Sequence, residues 1–147
     1  MVDTKWYAYL WASTRGVYEV AFVLLPVIVW SIALISVGSA DQIGELAAWP
    51  FAALALYSST LRDGIKAYKR ESLDDKRTSG LLVVVALFGV VISSVLLTLA
   101  VLKSAGQIDY LFSFFYSLVW LLFWFGLLLL LAVKVKLSLR DDFSPGV

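Results

Sequence analysis

Hydrophobic residues occur along the chain in four long runs separated by short polar segments. The runs cover about residues 16–37, 46–61, 81–102 and 110–135. A helix rises about 1.5 Å per residue, so about 20 apolar residues are needed to cross a hydrocarbon core about 30 Å thick. The pattern predicts four transmembrane helices in one membrane domain over residues 1–147. The second run is the shortest, and its helix is expected to continue outside the membrane to about residue 70.

The polar segments predict how these helices are connected. Residues 39–45 and 103–109 are short turns, which favour antiparallel neighbours in an up-and-down four-helix bundle. Residues 62–80 form the one long polar passage between runs and are predicted to be a basic loop. Within the first run, Pro26 cannot donate a hydrogen bond to the carbonyl of Phe22, so a kink is expected there. That kink is either a hinge or, as we favour, a locally bent and well-packed helix.

Composition places the chain among integral membrane proteins and removes several kinds of chemistry. Hydrophobic residues make up 61% of the chain and charged residues 16%, whereas soluble domains are about half apolar and about a quarter charged. The chain has no Cys and no His. Disulfides, thiolate catalysis, zinc sites with nitrogen or sulfur ligands and His-ligated haem are therefore excluded. We expect no cofactor, no metal and no nucleic-acid partner.

The distribution of Lys and Arg predicts the orientation in the membrane. Two of these residues lie in the N-terminal segment, six in the loop 62–80 and three in the C-terminal tail, whereas only Lys103 lies in an outer turn. Cytoplasmic segments are enriched in Lys and Arg, so both termini are predicted to be cytoplasmic. The strength of this asymmetry and the absence of Cys favour a bacterial inner membrane.

Charged residues near the cytoplasmic ends of the runs are candidates for the mouth of a transport path. They are Arg15, Glu19, Arg62, Asp63 and Lys66. Glu19 is the deepest, with Arg15 four residues earlier on the same helix face. It is either a cation or proton site gated by Arg15, or a side chain that reaches the interface; we favour the second because only deeply placed charges are costly.

Four spans in a chain this short resemble the architecture of small multidrug exporters. Those pumps depend on a Glu well inside the first helix, whereas Glu19 lies near the helix end. The resemblance is therefore limited to architecture, and no residue role is carried over.

Small residues recur at helical spacing in the second and third runs. The candidates for close helix packing or for lining a pore are Ala48, Ala52, Ala55, Ser59, Ala86, Gly89, Ser93 and Thr98. Small residues let helix backbones approach closely in lipid, so a contact between the second and third spans is the favoured interpretation. The alternative is that these residues, with Ser58 and Thr60, form the narrow wall of a path, since hydroxyl groups line such paths.

Aromatic residues form a stripe on the fourth run. Phe112, Tyr116, Trp120 and Phe123 share one face at helical spacing. Such stripes usually pack against other helices or face lipid, and the alternative is an apolar groove for a lipid tail or hydrophobic compound.

Two functions remain open at this stage. The first is a non-enzymatic membrane subunit that forms oligomers or joins a membrane complex, and that presents the loop 62–80 to a cytoplasmic partner. The second is a small oligomeric channel or transporter with a Ser- and Thr-lined path, a class that includes membrane-perturbing defence effectors. An enzyme is not expected, because no nucleophile motif, phosphate-binding loop or pair of carboxylates at useful spacing is present.

Overall fold

The protein is all-helical, as its sequence predicts. The computed structural model describes residues 4–70 and 76–141, with side chains described outside 4–13, 15, 16, 19, 40, 41, 70 and 138–141. It contains α1 (Thr4–Ser36), a 3-10 helix (Ala40–Glu45), α2 (Ala48–Arg70), α3 (Lys76–Ser104) and α4 (Phe115–Asp141). These described residues contain no β-strand, so four α-helices account for nearly all of the regular structure.

The helix ends differ from the hydrophobic runs at two places. Residues 76–80, predicted as part of the basic loop, form the first turn of α3. The fourth helix begins at Phe115 rather than at residue 110. Before it, the N–H of Phe115 donates to the carbonyl of Phe112 at 2.9 Å, and the ring of Phe112 lies 4.6 Å from that of Phe114. This aromatic turn, residues 112–114, is hydrophobic like the helix that follows it. Hydropathy alone therefore did not distinguish the turn from the helix.

Both prolines near the predicted spans lie inside helices. Pro26 lies within α1, and the helix is continuous across it from Thr4 to Ser36. Pro50 is the third residue of α2, in the first turn, where a missing N–H leaves no helical hydrogen bond unmade. The glycine of the turn after α1, Gly38, has a φ of 77° and ends that helix in the left-handed conformation.

Helix α2 is the central element of the bundle. It packs most extensively on α3 and α4 and less on α1. Helices α1 and α3 each also contact α4. One cluster of buried residues joins α1, α2 and α4 through Val27, Ala52 and Phe123. A second cluster joins Tyr57 of α2, Leu96 of α3 and buried hydrophobic residues of α4.

Large hydrophobic side chains cover the outside of the bundle. Examples are Phe22 on α1, which is 78% exposed, Phe88 on α3 at 64% and Leu121 on α4 at 63%. Among the described residues, two helices are long and apolar enough to cross a membrane, Lys76–Ser104 and Phe115–Leu137, and Val20–Ser36 of α1 is a shorter apolar stretch. Exposed apolar surface of this extent is a feature of proteins that contact a membrane or another protein.

Candidate functional site

Tyr57 occupies the centre of the contact between α2, α3 and α4. Its side chain is fully buried, and its ring lies against Gly89 of α3 and Gly126 of α4. A Cβ atom at Gly89 would lie 2.1 Å from the Tyr57 Cδ1, and one at Gly126 would lie 3.1 Å from the Cε2. The two glycines thus make room for one aromatic ring between three helices.

The small residues predicted to mediate close helix packing take part in two different helix contacts. On α3, Ala86, Gly89 and Ser93 are buried, and Gly89 receives the ring of Tyr57. On α2, Ala52 instead belongs to the cluster with α1 and α4. The remaining candidates Ala48, Ala55 and Ser59 are half-buried, and Thr98 is exposed. The spacing indicated close approach of helices, but it did not identify Tyr57 or Gly126 as partners.

Some of the hydroxyl groups proposed to line a path donate to carbonyls of their own helices. Thr60 donates to the carbonyl of Leu56 at 2.8 Å, and Thr98 donates to the carbonyl of Ser94 at 2.9 Å. Such bonds to the preceding turn satisfy a hydroxyl in an apolar environment without any other partner. Ser93 is buried whereas Thr98 is exposed, and their suggested place along a path stays a prediction.

A charged cluster lies where α2 and α4 meet, at the end of the bundle that carries most of the Lys and Arg residues. The Oδ2 of Asp63 lies 2.6 Å from the Nζ of Lys134, and their side chains are only 4% and 15% exposed. The Oδ1 of Asp63 lies 3.3 Å from the Arg62 Nε and 3.8 Å from the Lys66 Nζ. One buried carboxylate therefore contacts three cationic side chains.

The surroundings of Asp63 keep its carboxyl group ionised. Asp63 lies beyond residues 46–61, outside the predicted second span. Burial would raise the pKa of the Asp63 carboxyl, but the hydrogen bond and charge of Lys134, with the charge of Arg62, outweigh burial and place the pKa below its usual value. The Asp63 carboxyl group is therefore ionised at neutral pH.

A second polar contact ties α4 to α3 at the same end of the bundle. The Nζ of Lys136 donates to the Oγ of Ser79 at 2.9 Å, and Ser79 is fully buried. Lys134 and Lys136 thus connect α4 to α2 and to α3, respectively. The sequence indicated these two lysines only as markers of topology, because their partners lie more than 50 positions earlier in the chain.

The candidate charged residues differ in their exposure and in whether the structure describes their side chains. The side chains of Arg62 and Lys66 are 58% and 60% exposed, as expected for groups at a cytoplasmic surface, whereas Asp63 points into the bundle. The side chains of Arg15 and Glu19 lie outside the described residues. Their suggested role as a gate and a cation site stays a prediction.

The aromatic stripe of α4 is largely a packing surface. The Trp49 ring of α2 lies 4.4 Å from that of Trp120 and 5.3 Å from that of Phe123. The Trp49 Nε1 donates to the carbonyl of Ile43 at 2.8 Å, which ties the 3-10 helix to α2. Phe112 lies before α4, in the aromatic turn, so it does not continue the stripe.

At the opposite end of the bundle, a groove of about 310 Å³ opens between the end of α1, the 3-10 helix, the end of α3 and the start of α4. The Lys103 Nζ donates to the Oη of Tyr116 at 3.0 Å, and this Oη donates to the Oε2 of Glu45 at 3.4 Å. Leu34, Leu46 and Leu111 are among the apolar residues of the groove. Lys103, the one cation of the predicted outer turns, is therefore part of a polar chain.

These two sites bring charged and polar side chains together at the two ends of the bundle. Among the side chains that the structure describes, no group of three acidic residues could hold a metal ion. The Asp63 cluster links α2 to α4. The groove at the opposite end is lined by Lys103 and Glu45 together with apolar residues. No family model, curated protein or solved structure matches this chain.

Proposed function

We propose that this chain is a small, non-enzymatic subunit of a bacterial inner-membrane complex, with four membrane-spanning helices and both termini in the cytoplasm. Its role is to present a basic cytoplasmic surface, formed by the adjoining ends of α2 and α3, to an acidic surface of a partner protein. The following features support this proposal.

The exposed apolar residues support the membrane placement. They occur on every α-helix, whereas the Asp63 cluster and the Lys103 chain lie at opposite ends of the bundle. A bundle with a hydrophobic girdle and polar groups at its two ends matches the layered structure of a bilayer. The second helix is short in hydrophobic length, but it is covered by α3 and α4 and needs little lipid contact of its own.

The inward orientation of Asp63 is the observation that carries the proposed role. In the sequence, this acid dilutes the basic character of the polar passage. In the structure, its carboxylate is buried and contacts Lys134, Arg62 and Lys66, while the side chains of Arg62, Lys66, Lys69 and Arg77 are exposed. The described surface at this end of the bundle therefore presents these cationic groups and not the Asp63 carboxylate. Basic surfaces of this kind favour acidic partners and steer their association.

Site-specific photo-crosslinking in cells tests this role. A photoreactive amino acid replaces Ile65 or Thr78, which are exposed among the basic residues, and Gln107 at the opposite end serves as the matched control. We expect one discrete protein adduct from positions 65 and 78 and none from 107. The double variant Lys69→Glu/Arg77→Glu should reduce the yield several-fold, because it reverses two exposed charges. The absence of any discrete adduct at 65 and 78, or the same adduct at 107, would contradict the proposal.

A further inference from the structure

The groove at the Lys103 end holds opposite charges apart. The ammonium of Lys103 and the carboxylate of Glu45 are joined through the phenol of Tyr116 and not by a direct ion pair. The Nζ of Lys103 also lies 5.4 Å from the centre of the Tyr116 ring, so the ring and the hydroxyl both hold the ammonium in place. A cation and an anion thus stand at separate positions on the rim of one groove.

Each of these charged groups has capacity for a further hydrogen bond. An ammonium has three N–H donors, and the bond to Tyr116 uses one of them. A carboxylate accepts several hydrogen bonds on its two oxygens, and the bond from Tyr116 reaches only the Oε2. The rim therefore offers donors on one side and acceptors on the other, which complements a ligand that carries both a phosphate and a primary ammonium.

We propose that this groove binds the headgroup of a phosphatidylethanolamine lipid. The phosphate accepts hydrogen bonds from Lys103, and the ethanolamine ammonium donates to Glu45. The apolar side chains of Leu34, Leu46 and Leu111 receive the glycerol backbone and the first carbons of the acyl chains. The volume of about 310 Å³ suits a headgroup rather than a whole lipid.

The position of the groove suits a lipid ligand. Lys103 lies in the last turn of α3, where the apolar helix ends. Val101 on α3 and Ile35 on α1 are 49% and 59% exposed, so the acyl chains continue along apolar helix surfaces. The inference rests on the proposed membrane placement but not on the proposed partner. In the predicted orientation, the groove faces the outer leaflet.

Native mass spectrometry of the full chain, released from nanodiscs of defined composition, tests this site. The nanodiscs contain phosphatidylethanolamine mixed with phosphatidylglycerol or with phosphatidylcholine. We expect one phosphatidylethanolamine to be retained in preference to either competitor. Phosphatidylglycerol lacks the ammonium, and the quaternary ammonium of phosphatidylcholine has no N–H to donate to Glu45. Because these comparisons use the unmodified protein, they do not depend on the folding of any variant or on the orientation in a cell.

Variants then assign the contacts to residues. Glu45→Gln should lower the preference for phosphatidylethanolamine over phosphatidylglycerol about ten-fold, and Lys103→Gln should lower retention of both lipids about ten-fold, because each removes a charge-assisted hydrogen bond. Lys69→Gln, which removes an exposed lysine at the opposite end of the bundle, is the matched control and should leave the retention of phosphatidylethanolamine unchanged.

Three results would overturn the inference. The first is equal retention of the three lipids by the unmodified protein. The second is an equal loss of retention in Lys69→Gln and Lys103→Gln. The third is binding of soluble glycerophosphoethanolamine as strong as that of the lipid, which would identify a free headgroup as the ligand. The photo-crosslinking result is independent of all three, so failure of this site and failure of the proposed function are distinguishable.

Discussion

At the scale of single residues, the contact between Tyr57 and Gly89 places the strictest demand on the bundle. Gly89→Ala should lower the free energy of unfolding by about 1–3 kcal/mol, the usual cost of overpacking a core, because the new Cβ would overlap the ring of Tyr57. Gly80→Ala, on the same helix, is the matched control, since its Cβ would meet Tyr68 at an ordinary 3.5 Å. Thermal unfolding in mild detergent measures both. Equal stability of the two variants would contradict this packing.

The hydroxyl of Tyr57 should contribute nothing favourable to stability. Its Oη is buried and has no hydrogen-bond partner among the described residues, and a buried polar group without a partner is costly. Tyr57→Phe keeps the ring between the two glycines and removes that cost. We expect its unfolding temperature to equal or exceed that of the unmodified protein. A loss of about 1 kcal/mol or more would mean that the hydroxyl has a partner that stabilises the fold.

The buried ion pair between Asp63 and Lys134 should show strong coupling. Asp63→Asn removes the carboxylate charge that lies 2.6 Å from the largely buried Lys134 ammonium, and breaking a buried ion pair costs about 3–5 kcal/mol. The double variant Asp63→Leu/Lys134→Met replaces both charges with apolar groups and should recover most of that loss. Unfolding of Asp63→Leu, Lys134→Met and the double variant in detergent provides the double-mutant cycle. Additive effects of the two sites would show that the pair is not coupled.

At the scale of helices, the hydrophobic runs of the sequence predicted the number of helices. They predicted less well where each helix begins and which helices are in contact. Four apolar runs correspond to four α-helices. The start of α4 was missed because the turn before it is aromatic, and a hydropathy pattern does not distinguish a turn from a helix of the same composition. Likewise, the small residues of α2 and α3 indicated close packing. They did not reveal that Gly89 receives Tyr57 or that Ala52 faces α1 and α4.

The connection between the 3-10 helix and α2 depends on one indole ring. Trp49→Phe removes the hydrogen bond to the Ile43 carbonyl and reduces the contact with Trp120, so we expect a loss of about 1–2 kcal/mol of stability. Trp30→Phe is the matched control, because Trp30 on α1 is 58% exposed. Thermal unfolding of the two variants checks this. A larger loss of stability in Trp30→Phe than in Trp49→Phe would contradict the role assigned to Trp49.

At the scale of the whole molecule, charge and apolar surface are arranged in layers. The Asp63 cluster and the Lys136–Ser79 contact lie at one end, the Lys103–Tyr116–Glu45 chain lies at the other, and exposed apolar side chains lie between them. The sequence predicted this arrangement through its Lys and Arg distribution. It could not predict the contacts themselves, because Asp63 and Lys134 are distant in the chain and neither belongs to a recognisable motif. The central claim is that all four helices cross a membrane, with the basic end in the cytoplasm.

Single-cysteine labelling tests that claim most directly, since the chain has no Cys and each introduced thiol is unique. Cys replaces Gln42 or Gln107 at one end of the bundle, and Thr78 at the other; all three positions are exposed. In intact bacterial cells, a membrane-impermeant maleimide should label positions 42 and 107, and it should label position 78 only after the membrane is permeabilised. Labelling of position 78 in intact cells, or protection of only one of positions 42 and 107, would contradict the four-span arrangement.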